Sequence, residues 1–205
     1  MRRGELVSAY WKVAAQGSRG VNVRAVAAAA SVSPASVLYY FPSMDALATA
    51  ALDGVMEEYY ERRKVFTELP LSAAARLSLL IQGGIPEVMS DELKWVYASG
   101  ASVLENPLLQ PLQRSLVERQ VMLFRTLIEI GQALGEFDPV FPSDEIARCV
   151  VALEDAFGFY PLIGLSPPRT MLLGHIRDYV ELTLRCTLPR PEDLEPLPLR
   201  SPAGE

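Results

Sequence analysis

The stretch VNVRAVAAAASVSPASVLYYFPSMDAL, residues 21–47, decides the fold. Val23, Val26, Ala27 and Ala30 recur at three and four residues, the spacing of one helical face. Asn22 stands just before them, with a side-chain oxygen able to accept from an orphan N–H of the first turn. Ser31-Val32-Ser33 interrupts the pattern. Ser33 is a second N-cap, and Pro34 takes the first helical position, where its missing N–H costs nothing. Val37, Leu38 and Phe41 give the second helix an inward face. Pro42 ends it, because the residue before a proline avoids the α region. Ser43 caps a third helix, with Asp45 in its first turn, where the macrodipole favours a carboxylate. Two short helices joined by a tight turn form a helix-turn-helix, whose second helix enters the DNA major groove.

This stretch resembles the DNA-binding region of the tetracycline-repressor (TetR) family of bacterial regulators. The matching residues are Val23-Arg24-Ala25-Val26-Ala27, Val32-Ser33 and Tyr39-Tyr40-Phe41, followed by Ser43, Asp45 and Leu47. The resemblance covers roughly the first fifty residues, including Trp11 to Gly17 upstream. Three positions depart from the family's usual pattern. Ser31 stands where the turn usually has glycine. Leu38 replaces a tyrosine that commonly reaches the DNA, and Met44 a lysine that commonly grips a phosphate.

The resemblance implies a DNA-binding set of Asn22, Arg24, Ser33, Pro34, Ala35, Ser36, Leu38, Tyr39, Tyr40 and Met44. Chemistry supports several of these. The planar fork of Arg24 suits guanine O6 and N7, and Pro34 or Ala35 can touch a thymine methyl. The leading N–H groups of the second helix can meet a phosphate. One of Tyr39 and Tyr40 is expected on the sugar-phosphate backbone, the other partly in the core.

The charge distribution fits such a head. The chain carries −6 overall, yet residues 1–50 hold five basic side chains against two carboxylates, a balance of +3. The remainder, with 14 basic and 23 acidic residues, carries −9. A basic head on an acidic body turns the head toward phosphate. Half of the 205 residues are hydrophobic, enough for a substantial core. No apolar run reaches the roughly 18 residues of a membrane span. Met-Arg-Arg-Gly-Glu lacks the apolar segment of a secretory signal, so the expected compartment is the cytoplasm. Cys149 and Cys186 read as buried, reduced thiols.

The rest reads as all-α. Helices are expected over about 4–16, 44–65, 73–82, 91–105, 111–134, 143–160 and 168–187, with no alternating strand pattern and no repeat. Ser72 and Ser143 mark helix starts. Gly83-Gly84-Ile85-Pro86 and Asn106-Pro107 mark stops. The domain reading is a DNA-binding head over 1–47, a regulatory and dimerisation body over 48–187, and a tail over 188–205. The tail carries five prolines and is expected to be extended or disordered. The helix beginning at Met44 leaves the head and enters the body as a lever.

No catalytic or metal-binding motif stands out, and no cofactor is expected. His175, the sole histidine, has no nucleophile motif beside it and reads as structural or solvated. The neighbours Glu154 and Asp155 point to different helix faces and so form no shared carboxylate site; they read as an exposed acidic pair, with one of them turned toward a pocket as the alternative. By resemblance the body holds a ligand pocket, with Trp95, Ser99, Phe124 and Phe157 as its lining. The last two helices are apolar over more than one stripe. The surplus calls for a two-fold partner, with Leu153, Phe157, Ile176 and Val180 as interface residues. The expected function is a homodimeric, ligand-responsive regulator, a repressor that releases a pseudo-palindromic operator on binding a small apolar or amphipathic molecule. The competing readings are a helical enzyme or small-molecule carrier that does not bind DNA, and a helical adaptor that binds only protein.

Overall fold

A computed structural model describes residues 3–15, 21–102 (backbone alone for 98–102) and 109–194. The described residues form nine α-helices and no strand. They are α1 (Arg3–Ala14), α2 (Val23–Ala29), α3 (Pro34–Tyr40), α4 (Met44–Thr67), α5 (Ala73–Gly84), α6 (Asp91–Ser102), α7 (Leu109–Ala133), α8 (Ser143–Phe159) and α9 (Arg169–Leu184). The all-α reading holds. The expected helix end at Gly17, the stop at Asn106-Pro107 and the tail from residue 195 lie outside the described residues.

The chain divides into two compact units, Met1–Glu61 with Val88–Arg119, and Arg62–Glu87 with Gln120–Glu205. The first is larger than the head read from sequence as 1–47. Its innermost cluster joins Leu6, Tyr10 and Val13 of α1 to Val26 and Ala27 of α2, Val37 of α3, Phe41, and Leu47 and Ala51 of α4. A second cluster packs Leu52 and Met56 of α4 with Leu93 and Val96 of α6 and Leu109 of α7. Trp95 of α6 sets its ring edge-on to Trp11 of α1 at 6.5 Å. α6 therefore packs with α1, α4 and α7 in the first unit, which no boundary signal in the sequence marks.

The second unit buries Leu77, Leu80 and Ile81 of α5, Phe124, Leu127 and Ile128 of α7, Ile146 and Val150 of α8, and Ile176, Val180 and Leu184 of α9. Two details differ from expectation, the C-terminal end of α5 and the tail. α5 runs on through Gly83 and Gly84. Ser143 opens α8, as expected. Pro142 holds the cap position without a side-chain bond, and Asp144 and Glu145 supply the favourable first-turn charge. The tail, read from sequence as extended or disordered from Leu188 onward, is held in place at its first residues. Leu188 is 2% exposed. Its N–H donates to Glu181 Oε1 at 2.8 Å, and Arg177 Nη1 donates to its carbonyl at 2.7 Å. Ser78 Oγ donates to the Pro189 carbonyl at 2.6 Å. Burial of one leucine and satisfied carbonyls outweigh the local proline content. Among the described residues no helix is long and apolar enough to cross a membrane.

Candidate nucleic-acid interface and a buried body site

Each reading helix starts on the cap that its sequence implies. Asn22 Oδ1 accepts from the N–H groups of Arg24 and Ala25 at 3.1 and 3.0 Å. Ser33 Oγ accepts from Ser36 N–H at 3.1 Å and lies 2.9 Å from Ser36 Oγ. Ser43 Oγ accepts from Ala46 N–H at 3.1 Å. Each such cap contributes about 1 kcal/mol.

The turn between α2 and α3 closes with Val32 N–H donating to Ala27 O at 2.9 Å and Ser31 N–H donating to Ala28 O at 3.1 Å. This pair of bonds requires a left-handed residue at its corner. Ser31 fills that position with φ +56°. Glycine meets no Cβ penalty there, which explains why the family uses it. Ser31→Gly is therefore expected to stabilise the head by about 0.5–1 kcal/mol, the αL cost relieved less the entropy that glycine loses. A rise in melting temperature checks this, and a fall would show that the Ser31 hydroxyl has a compensating partner.

The caps and core hold out one face of α3. Val37 and Phe41 are 1% exposed, whereas Leu38 is 46% and Tyr39 83% exposed. Leu38, read from sequence as inward, thus joins Pro34, Ala35 and Tyr39 on the open side, because two turns of helix hold only one buried stripe. Arg24 is exposed in the first turn of α2. Tyr40 and Met44 are partly buried and pack against the head core. Of the two tyrosines, Tyr39 is the exposed one, its ring edge-on to Tyr40 at 5.2 Å. Met44 is partly spent on packing where the family commonly has a phosphate-gripping lysine.

The ligand-lining residues named from sequence are divided between the two units. Trp95 belongs to the first unit and packs on Trp11. The side chain of Ser99 lies outside the described residues. Phe124 is fully buried in the second unit, with the Arg63 guanidinium 5.3 Å above its ring. Phe157 lies edge-on to Tyr160 at 5.5 Å and 6.3 Å from the His175 ring.

The second unit holds a polar cluster that the sequence reading missed. Arg63 and Glu154 are 2% and 3% exposed. Nη1 and Nη2 of Arg63 donate to Oε2 and Oε1 of Glu154, both at 2.8 Å. Nη1 also donates to Gln120 Oε1 at 2.6 Å, and Nη2 to the Leu80 carbonyl at 3.1 Å. The bridge joins α4, α5, α7 and α8. Gly84 makes room for it, since a Cβ there would overlap the Glu154 carboxylate. Glu154-Asp155 is thus no exposed pair. Glu154 points inward, as its spacing from Val150 and Phe157 allows. Burial pushes its carboxyl up to about 7, with Arg63 opposing and Asp155 adding to the rise. Asp155 reaches solvent, yet desolvation raises its carboxyl to about 6. The signal available in sequence was the place of Glu154 and Arg63 on otherwise apolar helix faces.

Three of the four expected interface residues are corrected by burial, Phe157 at 9% exposed among them. Ile176 and Val180 are 0% exposed within the protomer itself and present no surface to a partner. The apolar residues left open are others: Cys149, Ala152, Ala156 and Phe159 along one stripe of α8, and Met171 and Leu182 on a face of α9 that also carries His175 and Asp178. Leu153 is half-buried beside the α8 stripe. Cys149 is exposed on this stripe and Cys186 is half-buried, so neither is the fully buried thiol expected, though both are free. Burial, with Glu181 and Glu136 nearby, pushes the Cys186 thiol up to about 11. His175 is exposed on α9.

Residues 11–51 match the sequence family described as bacterial regulatory proteins, tetR family. No curated protein matches the chain. The chain is similar in fold to a TetR transcription regulator from Haloarcula marismortui, with TM-score 0.78 and 17% identity, covering 89% of this chain and 97% of that one. It is also similar to a transcriptional regulator from Saccharomonospora viridis solved with choline, with TM-score 0.73 and 22% identity over 87% and 95% of the two chains. A third similar structure is Salmonella enterica GusR, with TM-score 0.69 and 18% identity over 90% and 95%.

Proposed function

We propose that this chain, with a TetR-family reading head on the fold of TetR-family regulators, is a homodimeric transcriptional regulator that a small molecule releases from a pseudo-palindromic operator. The observation that carries this is the open face of α3, with Ala35, Leu38 and Tyr39 held outward and Arg24 exposed in the first turn of α2. One such helix spans too few base pairs for a selective site, and two related by a dyad double the contacts at a spacing of one helical turn or a multiple. The open apolar residues of α8 and α9 suit a second copy, because two helices from each protomer close a four-helix interface. The alternative, a helical small-molecule-binding or enzymatic protein that leaves DNA alone, leaves the exposed Tyr39 and Arg24 without a task.

The test is selection of duplex DNA from a random pool by the purified protein. Enrichment of a two-fold sequence is expected, and enrichment of none would remove the regulator reading. On the selected site, Arg24→Ala should weaken specific binding by about 1–3 kcal/mol, the value of a bidentate base contact. Tyr39→Phe should weaken binding to all sequences alike, because phosphate contacts carry no base information. Equal affinity of Arg24→Ala and wild type for the selected operator would sink the assignment of Arg24.

A further inference from the structure

We propose that the Arg63–Gln120–Glu154 cluster is the recognition point for the effector, and that the effector is a small organic carboxylate whose anionic group displaces that of Glu154. The inference rests on the regulator reading for its consequence at DNA, but its argument is local to the second unit.

Arginine donates only, so the 2.6 Å bond from Arg63 Nη1 fixes Gln120 with its oxygen toward the guanidinium. Its Nε2 must then point away. That nitrogen is buried, in a residue 4% exposed, and among the described residues has no hydrogen-bond partner. The cluster therefore offers a fixed cationic fork and, on the same Gln120 amide, an unused donor. A carboxylate shifted from the seat of Glu154 toward Gln120 satisfies both, with one oxygen on Arg63 and the other on Gln120 Nε2. It is the same chemical group as the one already on the fork, and Gly84 spares that group the Cβ that would overlap it. An ammonium would meet the guanidinium with like charge, and the acceptor it needs is already held by Arg63. The fully buried Phe124 beside Arg63 gives the site an apolar wall suited to an aromatic or aliphatic acid.

Displacement of Glu154 need not leave a second buried anion. The groups bearing on it are Arg63 from α4 and Asp155 on its own helix, and its carboxyl is pushed up to about 7. As the effector takes the fork, Glu154 picks up one proton from solvent and becomes neutral. One anion enters, one proton is taken up, and the buried charge stays balanced. Binding is then independent of pH between about 5, below which the effector's own carboxyl is protonated, and about 7, and weakens by about tenfold per unit above that.

The experiment uses the full chain and its selected operator. Operator retention is measured first without any addition, and its failure would strike the regulator reading alone. Benzoate, phenylacetate and hexanoate are then compared with benzamide and benzylamine by thermal shift. Calorimetry in two buffers of different ionisation heat counts the protons, and operator release is read in parallel. At least one carboxylate is expected to raise the melting temperature and release the operator, with uptake approaching one proton per site at pH 8. In Gln120→Met, whose own unfolding transition reports that it folds, this shift should be lost. Binding of the amine or the amide as tightly as any acid, binding of an acid without proton uptake, or no response to any acid would each overturn the proposal while the operator result stands.

Discussion

Arg63→Met should destabilise the protein by about 3–5 kcal/mol, the usual cost of removing one partner of a buried ion pair. The reason is not the strength of the bridge. Arg63 and Glu154 are both nearly inaccessible, and removing the guanidinium leaves the carboxyl of Glu154, one acceptor of Gln120 and the Leu80 carbonyl without their donor. Arg63→Met combined with Glu154→Leu should recover most of the loss, since well-packed apolar groups often equal a buried pair in stability. Urea unfolding of both single variants and the double variant measures this coupling. A loss below about 1 kcal/mol in Arg63→Met would mean that water reaches the cluster. The pH dependence has a definite sign. The folded carboxyl of Glu154 lies at about 7 against an ordinary 4.5, so the folded state holds the extra proton between those values. Its contribution to stability is full below 4.5 and is lost as pH rises through about 7. Glu154→Gln should flatten that fall.

Ala156→Glu with Phe159→Glu should give a folded monomer whose affinity for the operator drops by on the order of a thousandfold, toward the level of non-specific binding. Both residues are exposed in the protomer, Phe159 at 47%, so the charges cost the isolated chain little. Set face to face across a dyad they would be desolvated and mutually repelled. Charged substitution at Val180, which is 0% exposed, is the contrasting case. It should unfold the second unit outright, because a buried unpaired charge has no compensation. Sedimentation and operator titration on the same samples separate the two outcomes. A double variant that remains dimeric, or a monomer that keeps tight operator binding, would remove the proposed interface.

The reading head was legible in the sequence because its determinants are local. Asn22, Ser33 and Ser43 bond to N–H groups two or three residues away, Pro34 and Pro42 restrict their own and adjacent backbone, and Val26, Val37 and Phe41 declare a face by spacing alone. Helix order and the all-α class followed from the same short-range rules. Three things needed the tertiary structure, each because it depends on residues far apart in the chain. Which stripe of α8 is inside was one, since the faces holding Val150 and Ala156 are both apolar; on α9 it is packing by α5 and α8 that takes Ile176 and Val180 out of reach of a partner. The place of the tail was another: Leu188 and Pro189 are ordered by Ser78 and Arg177, not by their neighbours. The third was the Arg63–Glu154 bridge, whose partners are 91 residues apart. Periodicity can say that each charge stands on an apolar face. Only the packing of four helices brings them within 2.8 Å and excludes the water that would otherwise have kept them apart.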